Sequence, residues 1–309
     1  MISGSSEKTA CRRIDFGLAW EWEYDRALVQ LLKQACATAG LSVHLVHPTN
    51  LEITTAEYRQ SKLRFSCYLD RGSDALKEFL PLAQLVANSG CRVINKFASM
   101  QRAADKATMH LEFMTEGLNV PFTIILSPYS HQPEIEITEL EKLGKPFIIK
   151  PAVGGGGLGV VTDAKSLNDI LQARMSQNRQ KYLLQRKIEP VLLKKRRAWF
   201  RAYFVLGATF LVWWNDVTHL YCELDPADER EFYLSPMREI IKEIARISGL
   251  DFLSAEIALT ADDRFVVVDY VNDVCDMRLQ SQHHDGVPDR LVHGIVAVIV
   301  DFVGAAVRH

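Results

Sequence analysis

Apolar positions in this chain fall into short runs separated by stretches with helical spacing, and that alternation predicts a layered α/β protein. Ile14 to Trp20 reads as a strand, and Leu28, Leu31, Leu32, Ala35 and Ala39 share one face of a helix that Asp25 can cap and Gly40 stops. Ser42 to Val46 and Phe65 to Leu69 are further strands. A helix over Asp74 to Asn88, disturbed by Pro81, and a short strand at Arg92 to Ile94 complete a layer with a largely parallel sheet over residues 1–98. Trp20, Glu21, Trp22 and Glu23 stand where a strand's carboxyl end opens into a loop, the end at which such sheets bind ligands. The plainer reading is a solvated acidic turn with two aromatic anchors.

From Ser99 the period is helical again: Met100, Ala103, Ala104, Ala107, Leu111 and Met114 keep it up to Gly117, with Asp105 and Lys106 inside as an ordinary surface pair. Val120 to Leu126 is a strand, followed by a short helix capped by Thr138 with Glu141 three residues on. Phe147 to Ile149 is the next strand. Ser166 and Asp169 form a capping box ahead of a helix, and Tyr182 to Ile188 closes a segment spanning 99–188. The last part, 189–309, is first β-rich. Trp199 to Leu206, Thr209 to Trp214 and Val217 to Leu224 form a meander with turns at Gly207-Ala208 and Asn215-Asp216. Ser235-Pro236 opens a helix ending at Gly249, Phe252 to Leu259 and Arg264 to Val271 pair about Asp262-Asp263, and Pro288 to Val307 is a closing helix. The fold class is α/β, turning α+β in the C-terminal half.

One stretch, Lys145 to Val161, carries a chemical signature. A buried strand ends in Lys150-Pro151 and runs into Gly154, Gly155, Gly156, Gly157 and Gly159 before apolar residues resume at Val160. Glycines let successive backbone N–H groups converge on phosphate oxygens, and Lys150 adds a positive charge beside them. A flexible linker would be polar on both sides, whereas this run is bracketed by strands. Gly154-x-Gly156-x-x-Gly159 matches the dinucleotide fingerprint in form only, because no acid closes a second strand about 20 residues later. Gly144-Lys145 is followed by Pro146, not Ser or Thr, so there is no Walker A loop.

Composition narrows the field. With 36 basic and 38 acidic residues the net charge is −2, which gives no global attraction for nucleic acid or an anionic membrane. The six cysteines, at 11, 36, 67, 91, 222 and 275, form no C-x-x-C pair and read as reduced, mostly buried thiols of a cytoplasmic protein. Residues 1–13 show no apolar leader core, and His293 and Asp301 interrupt the most apolar tract, Val292 to Val307, so no membrane span is expected.

Acids interrupt the final hairpin. Glu256 breaks the run Leu253 to Leu259, and Asp269, Asn272, Asp273 and Asp276 follow Phe265 to Val268. Carboxylates at the ends of buried strands are costly unless paired or bound to a cation, and their oxygens suit Mg²⁺. The plain alternative is an acidic turn paired with Arg264 and Arg278. Lys194, Lys195, Arg196 and Arg197 form a charge run that is either a solvated loop or, through Arg197 or Arg201, an anion contact.

In this order, Lys106 before a Val-Pro strand, Lys150 in I-I-K-P, the glycine loop, the strand Leu183 to Ile188, and an acid followed by a hairpin ending in Asn272 resemble the ATP-grasp superfamily. The resemblance covers about residues 95 to 275. It implies that Lys106 and Lys150 contact ATP phosphates, that Gly154 to Gly159 folds over them, and that Gln185, Arg186, Lys187 and Ile188 hold adenine. It implies Glu256, Asp269 and Asn272 as ligands for Mg²⁺ or Mn²⁺. The family commonly has Glu in the place of Gln185, and Tyr270 stands where its metal motif has an acid. Either a bulge re-aims Asp269 or Asp273 replaces it. An Arg usual two residues before the first metal acid is Ser254 here, and Arg201 can supply that charge. The activity implied is an ATP-dependent carboxylate–amine ligase acting through an acyl phosphate on small molecules, with Arg201, Lys150 and Arg278 as catalytic candidates, Arg278 as a clamp for an acceptor carboxylate. A small-molecule kinase of the same fold, which would need the basic run at 194–197, and a non-catalytic nucleotide-binding protein are the alternatives. A homodimer is compatible with either.

Overall fold

A computed structural model describes residues 11–308, so most of the segment 1–13 read for a leader lies outside the described residues. These residues fold as two compact units: one ends at Phe97 and resumes at Asp276, and the other is Ala98–Cys275. Three parts divided at 98 and 188 were expected. Instead the glycine-loop sheet and the C-terminal sheet share one unit, and the closing helix belongs with the N-terminal layer.

The first unit alternates β1 (Arg12–Trp20), α1 (Arg26–Thr38), β2 (Val43–Val46), α2 (Leu51–Arg59), β3 (Leu63–Arg71), α3 (Leu80–Ala87) and β4 (Arg92–Ile94). Its sheet is parallel, in the order β2-β1-β3-β4. The helix α2 escaped the sequence pattern because two of its four buried positions are threonines, Thr54 and Thr55, beside Leu51 and Tyr58. Thr55 returns its hydroxyl to the carbonyl of Leu51 at 2.7 Å, which makes it acceptable inside the layer. Asp25 precedes α1 but does not cap it. Its carboxylate is buried and accepts two bonds from Arg71, at 2.8 Å from Nε and 2.6 Å from Nη2. Pro81 lies in the first turn of α3 and starts the helix, where its missing N–H costs nothing, instead of disturbing it.

The second unit begins with two helices where one was expected, α4 (Phe97–Ala103) and α5 (Lys106–Thr115). Strands β5 (Thr123–Leu126), β6 (Phe147–Pro151), β7 (Val161–Ala164) and, after α6 (Leu167–Ser176), β8 (Tyr182–Arg186) form an antiparallel sheet in the order β5-β8-β6-β7. Ser166 and Asp169 close the expected capping box on α6. Thr138 caps nothing: Leu140–Leu143 is a single 3-10 turn without a side-chain cap. A two-stranded ribbon of β9 (Leu192–Leu193) and β10 (Arg196–Arg197) leads to the second sheet. That sheet comprises β11 (Trp199–Val205), β12 (Ala208–Trp214), β13 (Tyr221–Glu223), β14 (Phe252–Leu259) and β15 (Phe265–Asn272) in the order β13-β12-β11-β14-β15, all antiparallel. The β11–β12 turn is Leu206-Gly207, one residue earlier than expected, with both residues at positive φ (51° and 97°), as a two-residue hairpin of matching twist requires. Between β13 and β14 come α7 (Pro226–Glu231) and α8 (Pro236–Ser248), the latter stopped by left-handed Gly249 at φ 68°.

The closing helix α9 (Asp289–Arg308) is, by length and composition, apolar enough to cross a bilayer, with mean hydropathy 1.9 over Asp289–Val307. In the fold it packs on α1, β1 and β3, burying Val292, Ile295, Val296, Ile299, Val300 and Val303. The second unit has two apolar clusters, one containing Phe147, Leu184 and Ile170 and a larger one containing Phe200, Ile241 and Ile257. Of the six free cysteines, Cys36, Cys67 and Cys275 are buried, Cys91 is half-buried, and Cys11 and Cys222 are exposed, so fewer are buried than the sequence suggested.

Candidate active site

Everything that the sequence assigned to nucleotide or metal lies in the second unit, while Arg278, the candidate clamp for an acceptor carboxylate, lies in the first. Lys150 is the penultimate residue of β6 and is buried, which aims a primary amine out of a hydrophobic strand. Its Nζ donates to the carbonyl of Val268 at 3.0 Å and sits 5.1 Å over the ring of Tyr270. Burial pushes its pKa down to about 8; Asp269 and Glu256 oppose that shift, while Lys106 adds to it. Such an ammonium is under-solvated and short of full neutralisation, so it has affinity to spare for a phosphate oxygen.

The glycine loop follows at once and is exposed from Val153 to Gly159. Gly154, Gly156, Gly157 and Gly159 have φ of 129°, 61°, 72° and 76°. At 154 and 156–157 an added Cβ would meet nothing within 4 Å, so backbone conformation and not packing is what requires glycine there.

Lys106 reaches this loop because the expected single helix breaks before it. Asp105 takes extended geometry and caps α5, accepting from the N–H of Ala107 at 3.0 Å and Thr108 at 3.4 Å. The pair read as surface charge is therefore a helix start: Lys106 N–H donates to Ala152 O at 2.8 Å, and Lys106 Nζ donates to Gly154 O. Asp105 also pairs with Lys181. Partial burial would raise its pKa, but Lys181, the Ala107 N–H and the Thr108 hydroxyl more than offset that and hold it below the usual carboxylate range.

The acids converge through two bulges. Ser254 pairs with Asn272, Glu256 with Asp269, and Ile257 with Val267, so β15 gains one residue on its partner at each interval. The bulges turn Asp269 to face Glu256, the geometry that the first of the two possibilities requires, while Tyr270 turns into the core. Asp273 lies beyond the end of β15. Asn272 Nδ2 donates to Asp269 Oδ2 at 3.1 Å. Burial raises the pKa of Asp269, yet Lys150, Lys106, Arg201 and the Asn272 bond together bring it below its ordinary value.

Glu256 is paired with neither Arg264 nor Arg278. Arg201, directly across on β11, donates to its Oε1, and Trp199 Nε1 donates to Oε2 at 3.0 Å. Arg201 is clasped between Trp214, 4.5 Å from ring centroid to guanidinium, and Tyr221 at 5.8 Å, and its buried Nε has no hydrogen-bond partner. Despite desolvation, the surrounding Tyr221, Glu256, Tyr203 and Asp269 drive its pKa further up, so the cation is permanent. Two carboxylates and an amide are too few oxygens for an all-protein cage. Mg²⁺, however, is characteristically held by one or two carboxylates with substrate phosphates completing the shell, and this donor set fits that mode.

On the β8 side, Gln185 is buried, and its Nε2 donates to the Tyr270 hydroxyl at 2.7 Å and to Thr123 Oγ1 at 3.2 Å. Arg186 and Lys187 are exposed, with Arg186 Nε donating to Lys142 O at 3.0 Å, and Ile188 is half-buried. Arg278 lies in the first unit with its donors committed to Asp276 (2.8 Å) and Asp285 (2.9 Å). A substrate carboxylate would have to displace one of them. In the basic run, Lys194 pairs with Asp228 and Glu231, and Arg197 with Asp216 and Glu189. Sequence reasoning missed His110, whose Nδ1 is 2.6 Å from Tyr270 OH. The signal was its spacing, one turn after Lys106 on the same helical face.

No family model matches the chain, and no curated protein matches it in sequence. Solved structures match it in fold. A RimK domain ATP-grasp protein from Sphaerobacter thermophilus is 22% identical with a TM-score of 0.63, covering 93% of this chain and 99% of that one. D-alanine–D-alanine ligase from Bacillus anthracis, complexed with ATP, is 14% identical with a TM-score of 0.63, covering 96% and 98%. ATP-grasp ligase PsnB, complexed with minimal precursor, Mg and ADP, is 13% identical with a TM-score of 0.61, covering 92% and 98%.

Proposed function

Since the chain has the ATP-grasp fold, we propose that it is an ATP-dependent carboxylate–amine ligase that forms an amide or peptide-type bond on small molecules, releasing ADP and phosphate. The observation that carries this reading is the grouping, within one compact unit, of a buried under-neutralised Lys150, a glycine loop tied to Lys106, and Glu256 opposite Asp269. Lys106 and Lys150 would take phosphate oxygens, and the loop's backbone amides would close over them. Mg²⁺, held by Glu256, Asp269 and Asn272, would supply neutralisation of charge on the phosphates as it develops.

In this reading the γ-phosphoryl passes to a substrate carboxylate, giving an acyl phosphate and ADP; an amine then attacks the acyl carbon and phosphate leaves. The protein's part is positioning and charge, with no covalent protein nucleophile. Arg201 holds Glu256 in place from beneath and is itself too enclosed by Trp214 and Tyr221 to swing out. The kinase alternative draws on Lys194 to Arg197 as a basic pocket, and two of those four cations, Lys194 and Arg197, are already engaged by acids, which favours the ligase reading. The structural neighbours include a D-alanine–D-alanine ligase and a ligase complexed with a precursor peptide, so both small amines and peptides belong among the acceptors tested. Incubating the protein with Mg-ATP and pooled amino acids, amines and short peptides, scored for ADP and phosphate, should reveal release dependent on both a carboxylate and an amine. Equal ADP release with neither present would remove the ligase reading.

A further inference from the structure

The polar groups under Lys150 form a chain whose proton directions can be followed. Thr123 has one hydroxyl proton, and it goes to the carbonyl of Pro121 at 2.9 Å. The Gln185 atom 3.2 Å from that hydroxyl oxygen must therefore be a donor, the amide nitrogen. Its second hydrogen goes to the Tyr270 oxygen at 2.7 Å, and His110 Nδ1 lies within hydrogen-bond distance of that same hydroxyl, at 2.6 Å. Burial and the neighbouring Lys150 lower the His110 pKa to about 4, which keeps the imidazole neutral; on the tautomer that leaves Nδ1 bare, the tyrosine proton goes to the ring and the tyrosine oxygen faces the amide as an acceptor. Both amide hydrogens of Gln185 are used, which leaves its carbonyl oxygen as the side chain's remaining polar group.

We propose that Tyr270, standing where the metal motif carries an acid, is a positioning residue that together with Thr123 and His110 locks the Gln185 amide with its oxygen toward a bound base, so that the site selects adenine over guanine. Adenine offers an amino donor at position 6 where guanine has a carbonyl acceptor, so a fixed acceptor on the protein rewards one and repels the other. An unconstrained glutamine could rotate and serve both. The inference rests on the nucleotide-binding reading above and adds the residues that set its selectivity.

The test is calorimetric binding of ATP and GTP to wild-type protein and to Tyr270→Phe, Thr123→Val and His110→Leu, with circular dichroism confirming folding. Wild type should prefer ATP. Each variant makes amide rotation easier by about one hydrogen bond, so the ATP-to-GTP affinity ratio should fall about three- to tenfold. His110→Leu is informative because the hydrogen bond it removes is to the tyrosine and not to Gln185, so it acts on the amide through the tyrosine hydroxyl. A carboxylate needs no orientation, so in a Gln185→Glu background Tyr270→Phe should leave the ratio unchanged. If Tyr270→Phe does not fold, Thr123→Val carries the same expectation. A folded variant with the wild-type ratio would overturn the lock. Wild-type protein that binds neither nucleotide would remove the underlying reading, and the inference with it.

Discussion

Replacing Lys150 by Met should make the protein more stable and less able to bind ATP. The ammonium is buried, and its pKa falls from an ordinary 10.5 to about 8. At about 1.4 kcal/mol per pH unit, the charged form is about 3 kcal/mol less favourable in the fold than in an unfolded chain. Methionine removes that penalty but forfeits the bond to Val268 O and the contact with the Tyr270 ring. A net gain of about 1–2 kcal/mol remains, or about 2–8 °C in melting temperature for a unit of this size. The pH dependence identifies the cause. Between about 8 and 10.5 the unfolded state holds the lysine proton and the folded state does not, so wild-type stability rises with pH across that window and the variant's advantage shrinks. ATP affinity should drop at least tenfold, from loss of a charge-assisted contact worth about 1.5–3 kcal/mol. Paired thermal melts at pH 7 and pH 9.5, with calorimetric ATP titrations at pH 7, measure both effects. A variant less stable than wild type at both pH values by the same margin would refute the claim that Lys150 stores unfavourable charge for a ligand.

The metal acids, the helix break and the N-terminal layer each give a further expectation. Glu256→Gln and Asp269→Asn should abolish ADP release across a Mg²⁺ titration while Asp273→Asn retains it; loss in Asp273→Asn with wild-type rates in Asp269→Asn would move the ligand. Glu256→Gln should also lower stability by about 3 kcal/mol in chemical denaturation, because it leaves the buried Arg201 cation without its carboxylate. Asp105→Ala removes the cap of α5 and should cost about 1 kcal/mol in the same measurement, together with a raised KM for ATP as Lys106 loses its fixed start. Arg71→Met strands the buried Asp25 and should cost about 3–5 kcal/mol in chemical denaturation.

Much of the site was legible because its chemistry is local. The glycines after Lys150, the acid at 256 and the asparagine at 272 announce themselves by residue type against apolar strands. What stayed hidden depends on partners distant in sequence. Asp25 looked like a helix cap because nothing near it reveals Arg71, 46 residues on. Asp105-Lys106 looked like surface charge inside a helix because the apolar period continues through the break; the extended backbone at Asp105 and the bond from Lys106 N–H to Ala152 are tertiary facts. Asp269 looked misdirected because strand parity is read from an ideal strand, and two bulges reversed it. Arg278 looked available as a clamp, yet the plain alternative of an acid paired with it is realised by Asp276, and Asp285, seven residues on, shares it as well.

The central claim is that ATP is used here to activate a carboxylate, and trapping the activated species tests it most directly. Protein, Mg-ATP, the carboxylate pool and hydroxylamine in place of an amine should yield a hydroxamate in proportion to ADP and free phosphate, and Lys150→Met should yield none. A stable phosphorylated product without hydroxamate or free phosphate would contradict the ligase account and point to phosphoryl transfer that stops at its first step.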